Sequence, residues 1–274
     1  MLSSSAVTTS DLQQALLQIH DPAHHRGPQV CQGGTVSQRA RAVGGVAVAA
    51  AAFVGVAAVL RDRQLRWGAT PEEVVAVLPG DAILPTADLV ATRAISVAAP
   101  VAAVWPWLAQ MGQGRGGLYS YDWLENLVGC QMHSADEIVE QWQDVAVGDA
   151  FRLHPDVALR IGEVDPPRAL VVRVGVAPDG RTTDEAAAAP YDFTWAFVLT
   201  EQGPDRSRLI VRQRYQYLAP WTPLLVEPVS AISFVMTQRM LRGIGQRAEA
   251  AVSSRWSSAQ AAEPRSMQRH GARG

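Results

Sequence analysis

The chain has 274 residues, of which 48% are hydrophobic, which is enough for one large domain or two small ones with a sizeable core. Its formal net charge of -2 at pH 7 and pI near 6.3 give no basic surface of the kind that binds nucleic acid, so we expect no nucleic-acid partner. Cys31 and Cys130, the two cysteines, lie far apart in the sequence and exclude both a disulfide framework and a thiolate metal site.

Both ends of the chain are predicted to be disordered tails, residues 1–41 and 253–274, because Ser, Gln, Gly and Pro recur there without sustained periodicity. Three histidines of the first tail, His20, His24 and His25, have a spacing that would nearly suit a metal ion on one helical face. Pro22 lies between them and interrupts such a helix, so we expect no metal site.

Residues 42–60 carry no charged side chain, and arginines flank them on both sides. A stretch of this length just spans the hydrocarbon core of a bilayer, which is about 30 Å thick. The sequence therefore predicts a single-pass membrane helix, whose orientation the arginines on both sides leave open. The alternative is a buried helix of a cytoplasmic protein, because the alanines and glycines of this segment insert into membranes less favourably than leucines.

Residues 61–87 are interpreted as a linker that makes only local contacts and contains one short helix. A helix start is indicated by Thr70 as N-cap, Pro71 in the first turn and Glu73 at the capping-box position. The sequence therefore predicts that the short helix begins directly after Thr70.

Residues 88–252 are predicted to form the main domain. Alternation of apolar side chains predicts strands at residues 89–97, 147–154, 159–164, 170–175, 191–200 and 208–217. Helices are predicted at residues 100–111, 121–128 and 223–252, with the first bent at Pro106. This order predicts an α+β fold of the helix-grip type, in which an antiparallel sheet wraps around the long C-terminal helix.

The last two predicted strands each have one apolar face. In residues 191–200 every second side chain is large and apolar, and residues 208–217 repeat the pattern. The opposite face of the second strand carries arginines, which we expect to face water: Arg208, Arg212 and Arg214.

Residues 110–126 combine four glycines with three aromatic side chains. Gly112, Gly114 and Gly117 satisfy the dinucleotide pattern G-x-G-x-x-G, which requires a strand before it and a helix opening on its last glycine. The preceding residues are predicted to be helical, and no Lys-Ser or Lys-Thr pair follows. We therefore interpret the glycines as a structural loop beside a cavity mouth and expect no nucleotide or other cofactor.

A family resemblance extends over residues 67–249. Its most specific parts are the stretch from Val104 to Asn126, His133-Ser-Ala-Asp, Pro190-Tyr-Asp-Phe-Thr-Trp and Glu227-Pro. The chain resembles an actinobacterial branch of the START-like, or SRPBCC, superfamily, of the polyketide cyclase/dehydrase and lipid-transport type. The resemblance implies a cavity between the sheet and the long helix. It leaves the activity open, because the superfamily mixes carriers, cyclases, dehydratases and binding modules.

Aromatic and thioether side chains are expected to line that cavity, where they suit an apolar ligand of irregular shape. The predicted ligand-binding residues are Arg115, Tyr119, Tyr121, Tyr191, Phe193, Trp195, Phe197, Gln213, Tyr215, Ile232, Met236 and Met240. Gln213 is expected to meet a ligand or ordered water, because an unpaired buried amide costs on the order of 1 to 3 kcal/mol. The alternative is that these side chains simply fill the core.

The candidate catalytic groups are Asp122, Glu125, His133, Asp136 and Glu137. A histidine among carboxylates suits acid–base chemistry such as cyclisation or dehydration of a polyketide. The residues from Ser134 to Glu137 also match a capping box that opens a helix, and we favour that interpretation.

Two functions from different classes remain open. One is a membrane-tethered domain that binds or carries a hydrophobic small molecule or lipid, and the other is a cyclase- or dehydratase-like enzyme. Two or more ionisable groups facing the cavity would favour the enzyme, whereas a cavity that is polar only at its mouth would favour the binding domain.

Overall fold

The structure is a computed structural model, which describes residues 51–174 and 189–262. The chain divides into two compact units, Met1–Val54 and Gly55–Gly274, and the features below belong to the second. The predicted N-terminal tail, residues 1–41, lies outside the described residues.

Six strands form one antiparallel sheet. In chain order they are β1 (Leu89–Val97), β2 (Ala150–His154), β3 (Val157–Asp165), β4 (Ala169–Arg173), β5 (Tyr191–Glu201) and β6 (Ser207–Tyr217). The spatial order is β1-β6-β5-β4-β3-β2, so β2 to β6 form a meander and β1 pairs with β6 at the edge. Each strand lies where the alternation of the sequence predicted one.

Five helices accompany the sheet in the described part of this unit. They are α1 (residues 55–65), α2 (Pro71–Val75), α3 (Val101–Ala109), α4 (Asp122–Leu127) and α5 (Thr222–Ala262), and a 3-10 turn lies at Glu140–Trp142. α5 packs against the inner face of the sheet and continues to Ala262, beyond its predicted end at residue 252. The predicted helix-grip fold is confirmed.

A glycine allows α5 to approach the rest of the domain closely. A Cβ atom at Gly243 would lie 2.5 Å from the carbonyl oxygen of Tyr119, so a larger residue cannot replace it without a shift of the backbone. Leu241, Ile244 and Ala248, on the same half of the helix, are fully buried. The C-terminal half of α5 is therefore fixed against the core.

No helix in the described part of the chain is both long enough and apolar enough to cross a membrane. Residues 42–50, which begin the predicted membrane segment, lie outside the described residues. Within the remainder of that segment, Val56, Val59 and Leu60 on α1 are exposed.

The outer face of the sheet is covered, so the prediction that its arginines face water is wrong. Residues 66–85 fold back over it, and Ala69, Leu78 and Ile83 pack against a small apolar cluster on the strands. α2 begins with the capping box expected from Thr70 and Glu73. The segment interpreted as a local linker is therefore the second layer over this face.

The arginines of β6 bind that covering segment. Arg212 is 2% exposed; its guanidinium lies 2.6 Å from the Asp81 carboxylate and 3.0 Å from the Thr92 hydroxyl, and it also donates to three backbone carbonyls of residues 73–76. Arg208 pairs with Glu73 at 2.7 Å. Alternation shows which side chains share a face of a strand, but it does not show whether another segment covers that face.

Candidate functional site

A cavity of about 550 Å³ lies between the inner face of the sheet and the first half of α5, and α4 with the residues after it forms a third wall. Most of the predicted ligand-binding residues line it: Tyr191, Phe193, Trp195, Gln213, Tyr215, Ile232, Met236 and Met240. The cavity therefore lies in the place that the helix-grip architecture predicts.

The sheet wall of the cavity is an aromatic surface built by strand register. Phe193 pairs with Tyr215 and Trp195 with Gln213 across β5 and β6, so both pairs project to the same face. The rings of Phe193 and Tyr215 lie 4.6 Å apart, and Phe151 meets Trp195 edge-on at 6.2 Å. Such contacts hold the rings in place, which keeps the wall rigid.

The other predicted ligand-binding residues lie outside the cavity lining. Phe197 is fully buried in the core, and the half-buried Arg115 donates to the backbone carbonyls of Ala109 and Trp142. Tyr119 is 1% exposed, and its hydroxyl accepts a hydrogen bond from the Gln110 amide at 3.0 Å. Tyr121 precedes α4 and is half-buried.

The glycine-rich stretch is a closed loop after α3. Gly112 and Gly117 exchange backbone hydrogen bonds of 2.9 and 3.0 Å. Gly112, Gly114 and Gly117 all have positive φ angles, which glycine adopts at little cost. The Gln113 N–H donates to the Arg152 carbonyl at 2.8 Å, which ties the loop to β2.

The candidate catalytic groups do not converge on one site. His133 is exposed, and Asp136 lies at the surface, 2.7 Å from the Arg247 guanidinium. The Asp122 carboxylate accepts hydrogen bonds from the Ser134 N–H at 2.7 Å and the Ser134 hydroxyl at 2.6 Å. Asp122 therefore holds a loop together.

The capping-box interpretation of residues 134–137 is wrong. Residues 131–139 contain no helix. The Ser134 hydroxyl instead accepts the Tyr119 N–H at 3.0 Å while donating to Asp122. Its hydrogen bonds therefore connect two loops, an arrangement that local sequence spacing does not reveal.

Glu125 is the carboxyl group that reaches the cavity. Its side chain belongs to the lining and is 4% exposed, and neither carboxyl oxygen has a hydrogen-bond partner in the described structure. Burial raises the pKa of Glu125 to about 7, and the nearby Asp122 carboxylate acts in the same direction. The sequence marked Glu125 only as one of several acids.

Gln213 already has protein partners, so the reason for expecting a ligand or water there is removed. Its amide oxygen accepts from the Arg93 guanidinium at 2.7 Å, and its NH₂ group donates to the Ser233 hydroxyl on α5 at 3.1 Å. The Gln213–Ser233 pair thus links the sheet wall of the cavity to the helix wall.

Arg93 was not selected from the sequence, although it lies on the apolar face of β1. It is fully buried, its Nε donates to the Gln64 carbonyl at 3.0 Å, and its guanidinium carbon lies 5.5 Å from the centre of the Phe234 ring. Burial lowers the pKa of Arg93 to about 10, which leaves it charged at neutral pH. In the sequence, the signal for Arg93 was a charged side chain at an apolar position of an alternating strand.

Across the described ranges, no group of three or more His, Cys, Asp or Glu side chains could hold a metal ion. The ionisable groups of the lining are Glu125, Cys130, Tyr191 and Tyr215. Burial raises the pKa of Cys130 and of both tyrosines, so these three groups are protonated at neutral pH.

No protein-family model and no curated protein matches the sequence. Solved structures do match. Norcoclaurine synthase from Thalictrum flavum is 16% identical, with a TM-score of 0.35, over 58% of this chain and 84% of that one. A protein from Nitrosomonas europaea is 13% identical, with a TM-score of 0.38, over 61% of this chain and 99% of that one.

CalU16 from Micromonospora echinospora is 18% identical, with a TM-score of 0.29, over 60% of this chain and 86% of that one. Similarity at this level carries no argument about the ligand or the reaction of the present chain.

Proposed function

We propose that this chain, whose described residues have the START-like helix-grip fold, binds an apolar small molecule or lipid-like ligand in the cavity between its sheet and its long C-terminal helix. The observation that carries the proposal is the space of about 550 Å³ behind an aromatic wall. A volume of this size suits a small-molecule ligand rather than one or two ordered waters.

The side chains of the opposing wall support the same function. Ile232, Met236 and Met240 face the aromatic strand from α5. Thioether side chains adjust to irregular shapes, so this wall accommodates ligands that differ in outline. The rigid sheet and the adaptable helix together form a site for an apolar molecule.

Replacing Met236 with Trp tests the proposal, because the indole would occupy the cavity. We expect wild-type protein to bind the uncharged fluorescent probe diphenylhexatriene saturably, and Met236→Trp to lose that binding while remaining folded. Val235→Trp is the matched control: Val235 is 48% exposed and lies outside the cavity lining, so the same ring one residue away leaves binding intact.

Two outcomes would contradict a binding cavity. One is a wild-type protein that binds no apolar probe. The other is a Met236→Trp variant that unfolds while Val235→Trp does not, since that is the behaviour of an overpacked core. Circular dichroism and urea titration of all three proteins separate loss of folding from loss of binding.

A cyclase- or dehydratase-like enzyme is the second candidate function. Glu125 is the observation that favours it, because a carboxyl with a pKa of about 7 is suited to proton transfer. His133 and Asp136, which would complete an acid–base set, lie at the surface instead. Ligand binding therefore has the stronger support.

We also propose that residues 42–60 tether the domain to a membrane. The support is the sequence: an uncharged stretch of spanning length between arginines. Full-length protein should remain in the membrane pellet after carbonate extraction, and Val48→Glu combined with Ala51→Glu should release it, because charges are costly at the centre of a span. Wild-type protein in the soluble fraction would disprove the tether.

A further inference from the structure

Two polar groups of the cavity lining have no partner among the described residues. Both carboxyl oxygens of Glu125 are buried without a hydrogen bond, and so is the indole N–H of Trp195. The Gln213 amide in the same lining is paired by Arg93 and Ser233. Buried polar groups in folded proteins are almost always paired, so the two exceptions mark places where a bound molecule completes the structure.

The chemistry of the two groups selects the class of ligand. An indole N–H only donates, so its missing partner is an acceptor. Among the described residues, no cationic side chain lowers the pKa of Glu125, and burial and the Asp122 carboxylate both raise it, so the neutral acid is favoured in this pocket. A neutral carboxylic acid also has a hydrogen to donate.

We propose that Glu125, as a neutral acid, donates a hydrogen bond to an acceptor oxygen of the ligand, so that the cavity selects apolar molecules that carry a carbonyl group. The inference rests on the proposed function, since it assigns the ligand class of the same cavity. It identifies Glu125 as the polar anchor of a site whose lining is mostly apolar.

The surroundings of Glu125 determine how binding responds to pH. Asp122 lies on the same helix and Cys130 follows it, while the His154 imidazole from β2 packs near Gly129. Tyr191 and Tyr215 across the cavity stay neutral because burial raises their pKa values. Arg93, behind Gln213, stays charged. The experiment must therefore separate the contribution of Glu125 from that of His154.

The test uses the fluorescent ketone Prodan, whose emission shifts to longer wavelength when its carbonyl accepts a hydrogen bond. Its parent dimethylaminonaphthalene lacks the propionyl group and serves as the matched probe. Binding of both is measured at about pH 6 and about pH 8.5, on either side of the Glu125 titration. Wild type should bind Prodan about tenfold more weakly at the higher pH, the value of one hydrogen bond.

Three variants isolate the anchor. Glu125→Gln keeps a donor that does not ionise, so Prodan binding should be retained and become independent of pH. Glu125→Leu removes the donor and should weaken Prodan binding about tenfold at the lower pH. His154→Gln should keep the wild-type pH dependence. Dimethylaminonaphthalene has no carbonyl, so the ratio of Prodan affinity to dimethylaminonaphthalene affinity in each protein reports the anchor.

Other results would overturn the inference while leaving the binding cavity in place. If Prodan binds wild type equally well at both pH values, or more tightly as pH rises, the neutral carboxylic acid is not the donor. If Glu125→Leu binds Prodan as wild type does, or if His154→Gln removes the pH dependence, Glu125 is not the anchor. If neither naphthalene probe nor diphenylhexatriene binds, the proposed function itself fails.

Discussion

The two faces of the sheet bury ionisable groups in opposite ways. On the outer face, Arg212 is nearly inaccessible, yet Asp81, Thr92 and backbone carbonyls of the covering segment all accept from its guanidinium. On the inner side, Glu125 is equally inaccessible, and neither of its oxygens has a partner in the described structure. Pairing, and not burial, distinguishes the two groups.

The difference indicates which buried charge holds the fold and which is available for function. A paired charge has already exchanged its hydration for protein contacts, so it fixes the segments that supply them. An unpaired carboxyl in a cavity destabilises its own ionised form and gains from any ligand that supplies a partner. The outer face is therefore a structural layer, and the inner side is a site.

The largest effect is expected from breaking the outer layer. Arg212→Met leaves the carbonyls of residues 73–76 without their shared donor, while Asp81 keeps Arg214 at 3.3 Å. Loss of one partner of a buried pair costs about 3 to 5 kcal/mol, and the remaining pair places the expected cost at about 3 kcal/mol. Urea denaturation measures the change in the free energy of unfolding. Arg206→Met, at an exposed position before β6, is the control and should change stability by less than about 0.5 kcal/mol. Equal stabilities for the two variants would show that the covering layer is not held by this arginine.

The next effect concerns the inner side and has a defined sign. The pKa of Glu125 rises from its ordinary value of 4.5 to about 7 on folding, so the folded protein retains a proton that the unfolded chain loses between these values. Stability from this group is complete below about pH 4.5 and falls by on the order of 3 kcal/mol as pH rises to about 7.

Glu125→Gln removes the titration, so its stability relative to wild type should rise over the same pH interval. Urea denaturation of both proteins at several pH values between these limits measures the difference. A constant difference would mean that Glu125 ionises freely in the folded protein, and the contrast between the two faces would disappear.

The smallest effects are expected in the glycine-rich loop, where two substitutions separate a close backbone contact from backbone strain. Gly117→Ala should cost about 2 kcal/mol, because the added Cβ would lie 2.6 Å from the His133 carbonyl oxygen and the φ angle is positive. Gly114→Ala has the same backbone strain with nothing within 4 Å, so it should cost about 1 kcal/mol. Equal melting temperatures for the two variants would rule out the close contact as the cause.

Much of the fold could be predicted because β5 and β6 each have one face of large apolar side chains, and because α5 is long and bears an apolar stripe. The covering of β6 could not be predicted, since the partners of Arg212 in the covering segment come from residues 73–81, far away in sequence. The assignment to one branch of the START-like superfamily stays a prediction.

Part of the candidate site could also be predicted, because alternation along a strand determines which side chains share a face. Strand alternation placed Phe193, Trp195 and Tyr215 on one face, and the structure places them in the cavity. The role of Glu125 could not be read, because a short helix with acids at its start resembles any solvated N-terminal turn. Only the place of α4 in the cavity wall shows that this carboxyl is buried and has no partner among the described residues.

The close approach of Gly243 to Tyr119 has a consequence for how the cavity opens. It fixes the C-terminal half of α5, whereas Val229 and Ile232 on the cavity half are 44% and 59% exposed. Exposed apolar side chains indicate less packing and lower local stability, so amide hydrogens near Val229 and Ile232 should exchange with solvent faster than those after Gly243. We expect a ligand to enter through local unfolding of the cavity half of α5, while the sheet and the C-terminal half of the helix stay folded.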